Sequence, residues 1–164
     1  MVAETEYLIK ILKESGIRSN VYTSFKKLKQ GNELQVAAVL RNGEAFGRSG
    51  SKKTYTDQEG QRKCRAKLWD RTTSVNVVIA DTTESKVEGI LEEFLRRIKK
   101  GIEVDRNWTD IEIGDVDWVD EEDSILKAKV AVQFEVTLRS GIYEDRDLKQ
   151  VEIGTIREGG HYGG

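Results

Sequence analysis

Two segments of the chain repeat their hydrophobic residues at the three- and four-residue spacing that is typical of an amphipathic helix. The first covers residues 4–15 and is followed by Gly16, a residue type that commonly ends helices. The second runs to residue 100 from a predicted N-cap at Asp81, with Glu84 at the capping-box position and Gly101 after its end. The apolar positions of the two predicted helices are Tyr7, Leu8, Ile11, Leu12, Val87, Ile90, Leu91, Phe94, Leu95 and Ile98.

Alternation of apolar and polar residues predicts the strands, because successive side chains of a strand point to opposite faces of a sheet. The longest predicted strand, residues 125–138, has one apolar face, and Gly114 in the strand before it is expected to form a bulge. Turns or breaks are expected at residues 26–32, 42–43 and 141–147. The other predicted strands are residues 20–25, 34–41, 63–71, 74–80, 110–118 and 151–156.

A long polar stretch, residues 44–61, contains three glycines and almost no apolar residue. Structureless loops of this length are uncommon inside compact domains, so we expect an extended hairpin arm or a mobile loop. The order of elements favours an α+β fold: a mixed, mostly antiparallel sheet with the two main helices packed on one face and a long extended loop or hairpin at residues 44–62. A single domain is expected over residues 1–157, followed by a flexible tail at 158–164.

The composition favours a folded protein with a substantial core. The chain has 164 residues, of which 37% are hydrophobic and 34% are charged. A domain of this length buries about 70% of the surface of its unfolded chain, so it needs no covalent staples. Its one cysteine, Cys64, allows no internal disulfide, and the sequence shows neither a signal peptide nor a run of about 20 apolar residues. We therefore expect a soluble, intracellular-type protein without a membrane span.

The charge is divided unevenly between the two halves of the chain. Residues 1–71 hold 15 Lys and Arg against 8 Asp and Glu, whereas residues 72–164 hold 12 against 21. If the halves present different surfaces, such a dipolar protein can stack head-to-tail with copies of itself or contact two different partners. Chance clustering on a solvated surface is the alternative.

Histidine and cysteine, on which many catalytic and metal sites depend, occur once each in the chain. The one histidine, His161, lies between glycine pairs in the predicted tail, where it cannot be held rigidly beside a substrate. Cys64 has no firmly placed base to activate it and is expected to be a small core residue. The acidic residues within 115–123 lack the spacing of a calcium-binding loop and are expected to form a solvated turn. We expect no enzyme activity, no cofactor and no metal. A small hydrolase with a pair of carboxylates is the catalytic alternative that stays open, because almost any charged protein contains candidate pairs.

Basic residues cluster at residues 26–29 and 52–67, where aromatic residues interleave with them. Such a mixture can bind nucleic acid by neutralising phosphates and stacking on bases. The sequence pI of about 5.6 and the lack of a known nucleic-acid-binding motif favour contact with a protein instead. A nucleic-acid-binding accessory protein that uses these two segments stays open as the alternative. The residues predicted to form a protein interface are Phe46, Arg48, Lys52, Lys53, Tyr55 and Trp69.

The order of these segments resembles that of the small tail-terminator and tail-completion proteins of long-tailed bacteriophages and phage-like elements. The shared features are an N-terminal helix, the strand-like NVYTSF, the hydrophobic LQVAAVLRNG before a long variable loop, SVNVVIADTT leading into EGILEEFLRRIKKGI, and DIEIGDVDWVDEED before LKAKVAVQFEVTLRSGIYED. The resemblance covers about residues 5–145 and concerns the order of elements, not a catalytic motif. The chain departs from the family in its lack of proline and in the basic character of the loop.

The resemblance implies a mixed sheet flanked by helices and a structural role in the virion. Members of that family form rings, commonly hexameric, at the head-proximal end of the tail tube, where they stop tube growth and help to join the tail to the head. The implied partners are therefore further copies of the chain in a ring, the tail tube protein and the head–tail connector proteins. Assembly is then expected in the host bacterial cytoplasm, and the final location is the tail or neck of the virion.

Overall fold

The computed structural model describes residues 2–119 and 130–148 of the chain. Its helices are α1 (Val2–Glu14), α2 (Phe25–Gln30) and α3 (Glu84–Arg97). Its strands are β1 (Val21–Tyr22), β2 (Val36–Arg48), β3 (Lys52–Thr56), β4 (Arg62–Asp81), β5 (Gly101–Val104), β6 (Asn107–Val119) and β7 (Val130–Asp147). The acidic turn predicted at 120–123, the strand predicted at 151–156, the tail predicted at 158–164 and His161 lie outside the described residues.

The strands form a sheet in the order β1-β2-β4-β7-β6-β5, and β3 also pairs with β4. β1 is parallel to β2, whereas β3 with β4, β5 with β6 and β6 with β7 form antiparallel pairs. A shift of register between Ile113 and Val116 confirms the bulge predicted at Gly114. The protein is therefore an α+β protein, as predicted. In the described ranges, no helix is long and apolar enough to cross a membrane.

Packing divides the chain into two compact units. The described part of unit 1 consists of residues 2–45, 72–119 and 130–140, and that of unit 2 consists of residues 46–71 and 141–148. Unit 1 contains the helices and most of the sheet, and unit 2 contains β3 with parts of β2, β4 and β7. The expectation of one domain over residues 1–157 stays a prediction.

The core of unit 1 is built from the apolar faces that the periodic patterns predicted. Phe94 of α3 contacts Phe134 of β7, with ring centroids 5.5 Å apart. The apolar face predicted for the longest strand is confirmed from Val132 to Leu138, where alternate residues are buried. The buried cluster consists of Leu8, Ile11, Leu12, Ile17, Ala37, Val39, Val75, Val77, Ile79, Val87, Ile90, Leu91, Phe94, Val132, Phe134, Val136 and Leu138.

A second, smaller buried cluster lies on the opposite face of the same strands. It contains Ala38 and Val78, whose chain neighbours belong to the first cluster, and alternate strand residues point to opposite faces. Leu28 of α2 belongs to this second cluster. The turn predicted at residues 26–32 is therefore wrong, because burial of Leu28 stabilises a short helix within a polar segment. This helix also limits the strand predicted at 20–25 to two residues.

Strands β2, β4 and β7 continue through positions where the sequence predicted turns or breaks. β2 runs through residues 42–43, and just beyond them Thr73 Oγ1 of β4 donates a hydrogen bond to Glu44 Oε1 at 3.1 Å. The two strands predicted on either side of residue 72 are one strand, β4, and β7 continues through residues 141–147. These breaks were predicted wrongly because pairing with neighbouring strands outweighs the local turn preference of Asn and Gly.

The ends of α3 also differ from the prediction. Its N-cap is Thr83, whose hydroxyl accepts a hydrogen bond from the Lys86 N–H at 3.3 Å. Asp81, the predicted cap, is instead the buried last residue of β4, so the helix begins two residues later than a cap at this position would place it. The helix ends at Arg97, and Gly101 is the first residue of β5.

Candidate functional site

The polar stretch predicted as an extended hairpin or a mobile loop is a hairpin arm in unit 2. β3 is antiparallel to the first part of β4, with Lys52 opposite Ala66 and Thr56 opposite Arg62. The hairpin alternative is therefore confirmed, and the loop predicted at residues 44–62 is reduced to short connections between strands. Main-chain hydrogen bonds between the strands place every side chain of the arm on a defined face.

The turn of the arm is organised by Asp57. Its N–H donates to the carbonyl oxygen of Gln61 at 2.8 Å, while its Oδ1 accepts hydrogen bonds from the N–H groups of Gln61 at 2.8 Å and Glu59 at 3.0 Å. These backbone hydrogen bonds, first of all that of Gln61, hold the pKa of the Asp57 carboxyl below its ordinary value, with help from the charge of Lys63. Gly60 supplies the left-handed backbone that the turn requires, with φ at 82°.

The register of the arm decides which of the predicted interface residues lie together. Directly opposed residues of an antiparallel pair share one face. Lys53 opposes Arg65 and Tyr55 opposes Lys63, so these four side chains point to the same side. Lys52 is the chain neighbour of Lys53 and therefore points to the opposite side.

Four cation–π contacts extend this face across the neighbouring strands. The Arg48 guanidinium lies 4.1 Å from the ring centroid of Trp69, and the Arg65 guanidinium lies 5.3 Å from that of Tyr55. Contacts of this kind contribute about 0.5–1 kcal/mol each at exposed sites. The other two pairs are Arg71 with Phe46 at 5.8 Å and Lys67 with Tyr143 at 5.9 Å.

We call this surface of unit 2 the cation–aromatic face. Its members come from β2, β3, β4 and β7, and Phe46 keeps 49% of its surface exposed, so the face is accessible to a partner. The members are Phe46, Arg48, Lys53, Tyr55, Lys63, Arg65, Lys67, Trp69, Arg71, Tyr143 and Asp145.

Carboxylates of unit 2 pair with several cations of this face. Arg65 and Asp145 form a bidentate pair, in which Nε donates to Oδ1 at 2.7 Å and Nη2 donates to Oδ2 at 3.0 Å. Such a pair fixes the direction of both side chains as well as their distance. The other pairs are Lys67 Nζ with Asp70 Oδ1 at 2.7 Å and Lys63 Nζ with Asp57 Oδ2 at 3.6 Å.

Acidification is expected to loosen the arm at the Arg65–Asp145 pair. The hydrogen bonds from Arg65, together with its charge, hold the pKa of the Asp145 carboxyl below its ordinary value, against the opposing effect of burial. A carboxyl whose pKa is lower in the folded state stabilises that state above its unfolded pKa, and this stability is lost as the pH falls through the folded pKa. Amide hydrogen exchange, corrected for its intrinsic pH dependence, should show increasing opening of the arm between about pH 5 and about pH 2.

The variant Asp145→Asn should show faster exchange at neutral pH and lose the part of the pH dependence that comes from the Arg65–Asp145 pair. The part that comes from Asp57 at the turn of the arm should remain. Glu144 is the chain neighbour of Asp145 and points to the opposite side of β7. The variant Glu144→Gln should therefore keep the wild-type dependence of hydrogen exchange on pH. A wild-type profile in Asp145→Asn would show that the pair does not hold the arm together.

The side of the arm opposite to the cation–aromatic face carries two small buried residues. Cys64 and Ala66 are each 3% exposed. Cys64 is a free thiol, and its burial confirms the prediction of a small core residue. In the part of the chain that the structure describes, no group of three or more His, Cys, Asp or Glu residues is placed to hold a metal ion.

Sequence reasoning missed Tyr143 and Asp145, because it predicted a break in the chain from Gly141 onwards. A Cβ added to Gly141 would lie 2.9 Å from the carbonyl oxygen of Trp69. The glycine therefore permits close approach of two strands in unit 2 and does not end β7. The available signal was Ile142-Tyr143, because β-branched and aromatic residues are enriched in strands.

The structure brings together five of the six residues predicted for the interface and places Lys52 on the opposite side of the arm. Of the two basic segments, residues 26–29 belong to unit 1 and residues 52–67 belong to unit 2. Comparison with known proteins finds no family model that matches the chain and no curated protein that matches it.

Proposed function

We propose that this protein is a structural component of a bacteriophage virion, of the tail-terminator or tail-completion type. In this role it forms a homo-oligomeric ring, hexameric as is common in that family, which caps the tail tube and helps to join the tail to the head. Its partners are then further copies of itself, the tail tube protein and the head–tail connector proteins. The observation that carries the proposal is the cation–aromatic face, an exposed surface on the hairpin arm of unit 2.

The side chains of the cation–aromatic face are of the types that dominate protein interfaces. Arg, Trp and Tyr are enriched there because they combine a large contact area with hydrogen-bond donors. The contacts of Arg48 with Trp69 and of Arg65 with Tyr55 hold four of these side chains in place in the free protein. Side chains that are already ordered lose less entropy when a partner binds.

A nucleic-acid-binding accessory protein is the second candidate, favoured by the alternation of cations and aromatic rings on one surface. Phosphate binding depends on cations whose charge is not already compensated. Arg65 is bidentate with Asp145, and this carboxylate would itself face the phosphates. The pairing therefore favours a protein partner. In a titration with single-stranded DNA or RNA, binding that weakens steeply with added salt would favour the second candidate.

The proposal includes an arrangement in which α1 and α3 cover the same face of the sheet. Leu12 of α1 and Phe94 of α3 belong to one buried cluster with Val77 and Phe134 of the strands. Alternate residues of those strands point away from this cluster, so one shared face for both helices is the simplest packing. A mixed sheet backed by helices is also what the family resemblance implies.

The proposal is tested in the phage or prophage that encodes the chain. Removal of the gene is expected to leave tails that are not joined to heads and tail tubes of uncontrolled length, while heads form normally. Labelling of wild-type virions should place the protein at the head-proximal end of the tail. Normal virions without the gene, or labelling at another place, would contradict the proposal.

Complementation with variants then tests the cation–aromatic face. Arg48→Ala removes a cation that lies over Trp69 and should lower the yield of joined virions about tenfold or more, because central Arg residues of interfaces often contribute over 1 kcal/mol. Lys52→Ala changes another exposed side chain, which lies on the opposite side of the arm, and should restore assembly. Circular dichroism of the purified variants checks that both are folded.

A further inference from the structure

Strands β5, β6 and β7 of unit 1 have an acidic face that points away from the core. Ile111 and Ile113 of β6 lie opposite Leu138 and Val136, which belong to the buried cluster. The residues that alternate with them therefore point to the other side. Beyond the bulge, Val116 lies opposite the buried Phe134, so its neighbour Asp117 also points to the other side. Five exposed acidic residues lie on this side, which we call the acidic face: Glu103, Asp110, Glu112, Asp117 and Glu135.

The acidic face carries little compensating positive charge. Arg139 is the one basic residue that the described parts of these strands place on it, and Arg139 pairs with Glu112. Carboxylates at neighbouring positions of a sheet repel one another, so this concentration of acid opposes folding of the sheet. A basic partner would relieve that repulsion. Trp108 on the same face is 55% exposed and adds apolar contact area.

We propose that the cation–aromatic face of one copy of the chain binds the acidic face of a second copy. This inference rests on the proposed function, because it names the two surfaces that meet when the chain assembles with itself. The two faces have opposite charge, and both are exposed sides of paired strands. Complementary charge of this kind guides association and sets the register of an interface.

Contact between two identical faces is disfavoured by the same charges. A symmetric contact of two cation–aromatic faces would bring Arg48 and Lys53 of both copies together, and like charges oppose binding. Contact between different faces of identical copies is heterologous when it is not reciprocal, and it then repeats until it closes into a ring or continues as a filament. A ring-forming protein needs an interface of this heterologous kind.

Reversal of charge on either face is expected to weaken self-association. The arm variant carries Arg48→Glu and Lys53→Glu, and the acid variant carries Asp117→Lys and Glu135→Lys. All four side chains are exposed, so both variants should fold. Like charges then face each other across the interface, so self-association of each variant should be weaker. Sedimentation velocity at low salt should show a dissociation constant at least about tenfold above that of the wild type. Wild-type association itself should weaken as salt is added.

Matched controls change the same charges at other places. Lys52→Glu alters the neighbour of Lys53 on the opposite side of the arm, and Glu88→Lys alters an exposed residue of α3. Both should associate as the wild type does. Loss of association in these controls would show that net charge, and not the two faces, governs assembly.

The most informative experiment mixes the arm variant with the acid variant. The reversed arm of the first then matches the reversed face of the second, and the two unchanged faces also match each other. An equimolar mixture should therefore regain wild-type association, with equal amounts of both variants in the assembly. Regained association also proves that each variant is folded. Two folded variants that fail to associate when mixed, a wild type that stays monomeric at low salt, or an acid variant that associates normally would overturn the inference.

The same variants separate this inference from the proposed function. If the arm variant blocks virion assembly and the acid variant does not, the cation–aromatic face binds another virion protein. The self-contact is then refuted, and the proposed function stands. If gene removal leaves virions normal, the proposed function fails whatever the association measurements show.

Discussion

Replacement of Phe94 by alanine is expected to lower the free energy of unfolding by about 3–5 kcal/mol. The Phe94 side chain of α3 is fully buried and contacts Phe134 of β7, with ring centroids 5.5 Å apart. Its truncation removes apolar surface from the core, loses the aromatic contact and leaves a cavity that neighbouring residues fill only in part. Because small proteins are stable by about 5–15 kcal/mol in total, this one change should bring unit 1 close to unfolding.

The matched control is Leu95→Ala at the next position of α3. Leu95 keeps 42% of its surface exposed, so its truncation should cost less than about 1 kcal/mol. Urea unfolding followed by far-ultraviolet circular dichroism measures both variants. Equal losses of stability would mean that α3 does not turn the Phe94 side towards the core.

Replacement of Gly101 by alanine is expected to cost about 1–3 kcal/mol, although it adds a single methyl group. An added Cβ would collide with the carbonyl oxygen of Thr109 and with the ring of Trp108. The exposed Trp108 ring can move aside, but the Thr109 carbonyl is part of β6 and is held in the antiparallel pair with β5. One of the two strands must therefore shift, and their hydrogen bonds weaken.

Gly47→Ala provides the comparison, because Gly47 is also a strand glycine. A Cβ added there would meet nothing within 4 Å. Alanine restricts the unfolded chain more than glycine does, so this variant should be as stable as the wild type or slightly more stable. Thermal unfolding should show a lower midpoint temperature for Gly101→Ala than for the wild type, and an unchanged or slightly higher one for Gly47→Ala. A stable Gly101→Ala variant would show that β5 does not approach β6 as closely as the structure has it.

The two long helices and the main strand faces could be predicted from sequence because their signal is periodic and local. The spacing of Leu8, Leu12, Phe94 and their equivalents follows the helical repeat, and the alternation through Val132 follows that of a strand. Each pattern reports which side of an element is apolar. Every residue of the two predicted helical faces except Leu95 belongs to the same buried cluster or packs against it. The prediction was wrong for Leu95, which is exposed.

The ends of the elements could not be predicted, because they depend on what lies beside them. Residues 42–43 have a strong turn preference, yet they lie within β2. Leu28 is one apolar residue in a basic segment, and its burial in the second cluster stabilises the segment as a helix. In each case, contacts with residues that are distant in sequence stabilise the folded chain by more than the local turn preference opposes.

For the candidate site, too, the sequence predicted which residue types are present but not how they are arranged. The basic and aromatic residues of the arm were identified from composition, but composition does not say which of them share a face. That depends on register: Lys53 opposes Arg65 and therefore lies among the cations and rings, while Lys52 points away. Asp145 could not be assigned to the site at all, because its place depends on β7 continuing past Gly141.

The sequence by itself determined the class of fold, the apolar faces of its longest elements and the supply of cations and aromatic rings in one polar stretch. Local chemistry and periodicity are sufficient for these properties, since each depends on residues close together in the chain. The tertiary structure alone decided where strands continue, which helix covers the second face, and that cations, rings and one carboxylate form a single surface on the hairpin arm. These properties depend on strand pairing and burial, and both are produced by contacts between residues that are far apart in sequence.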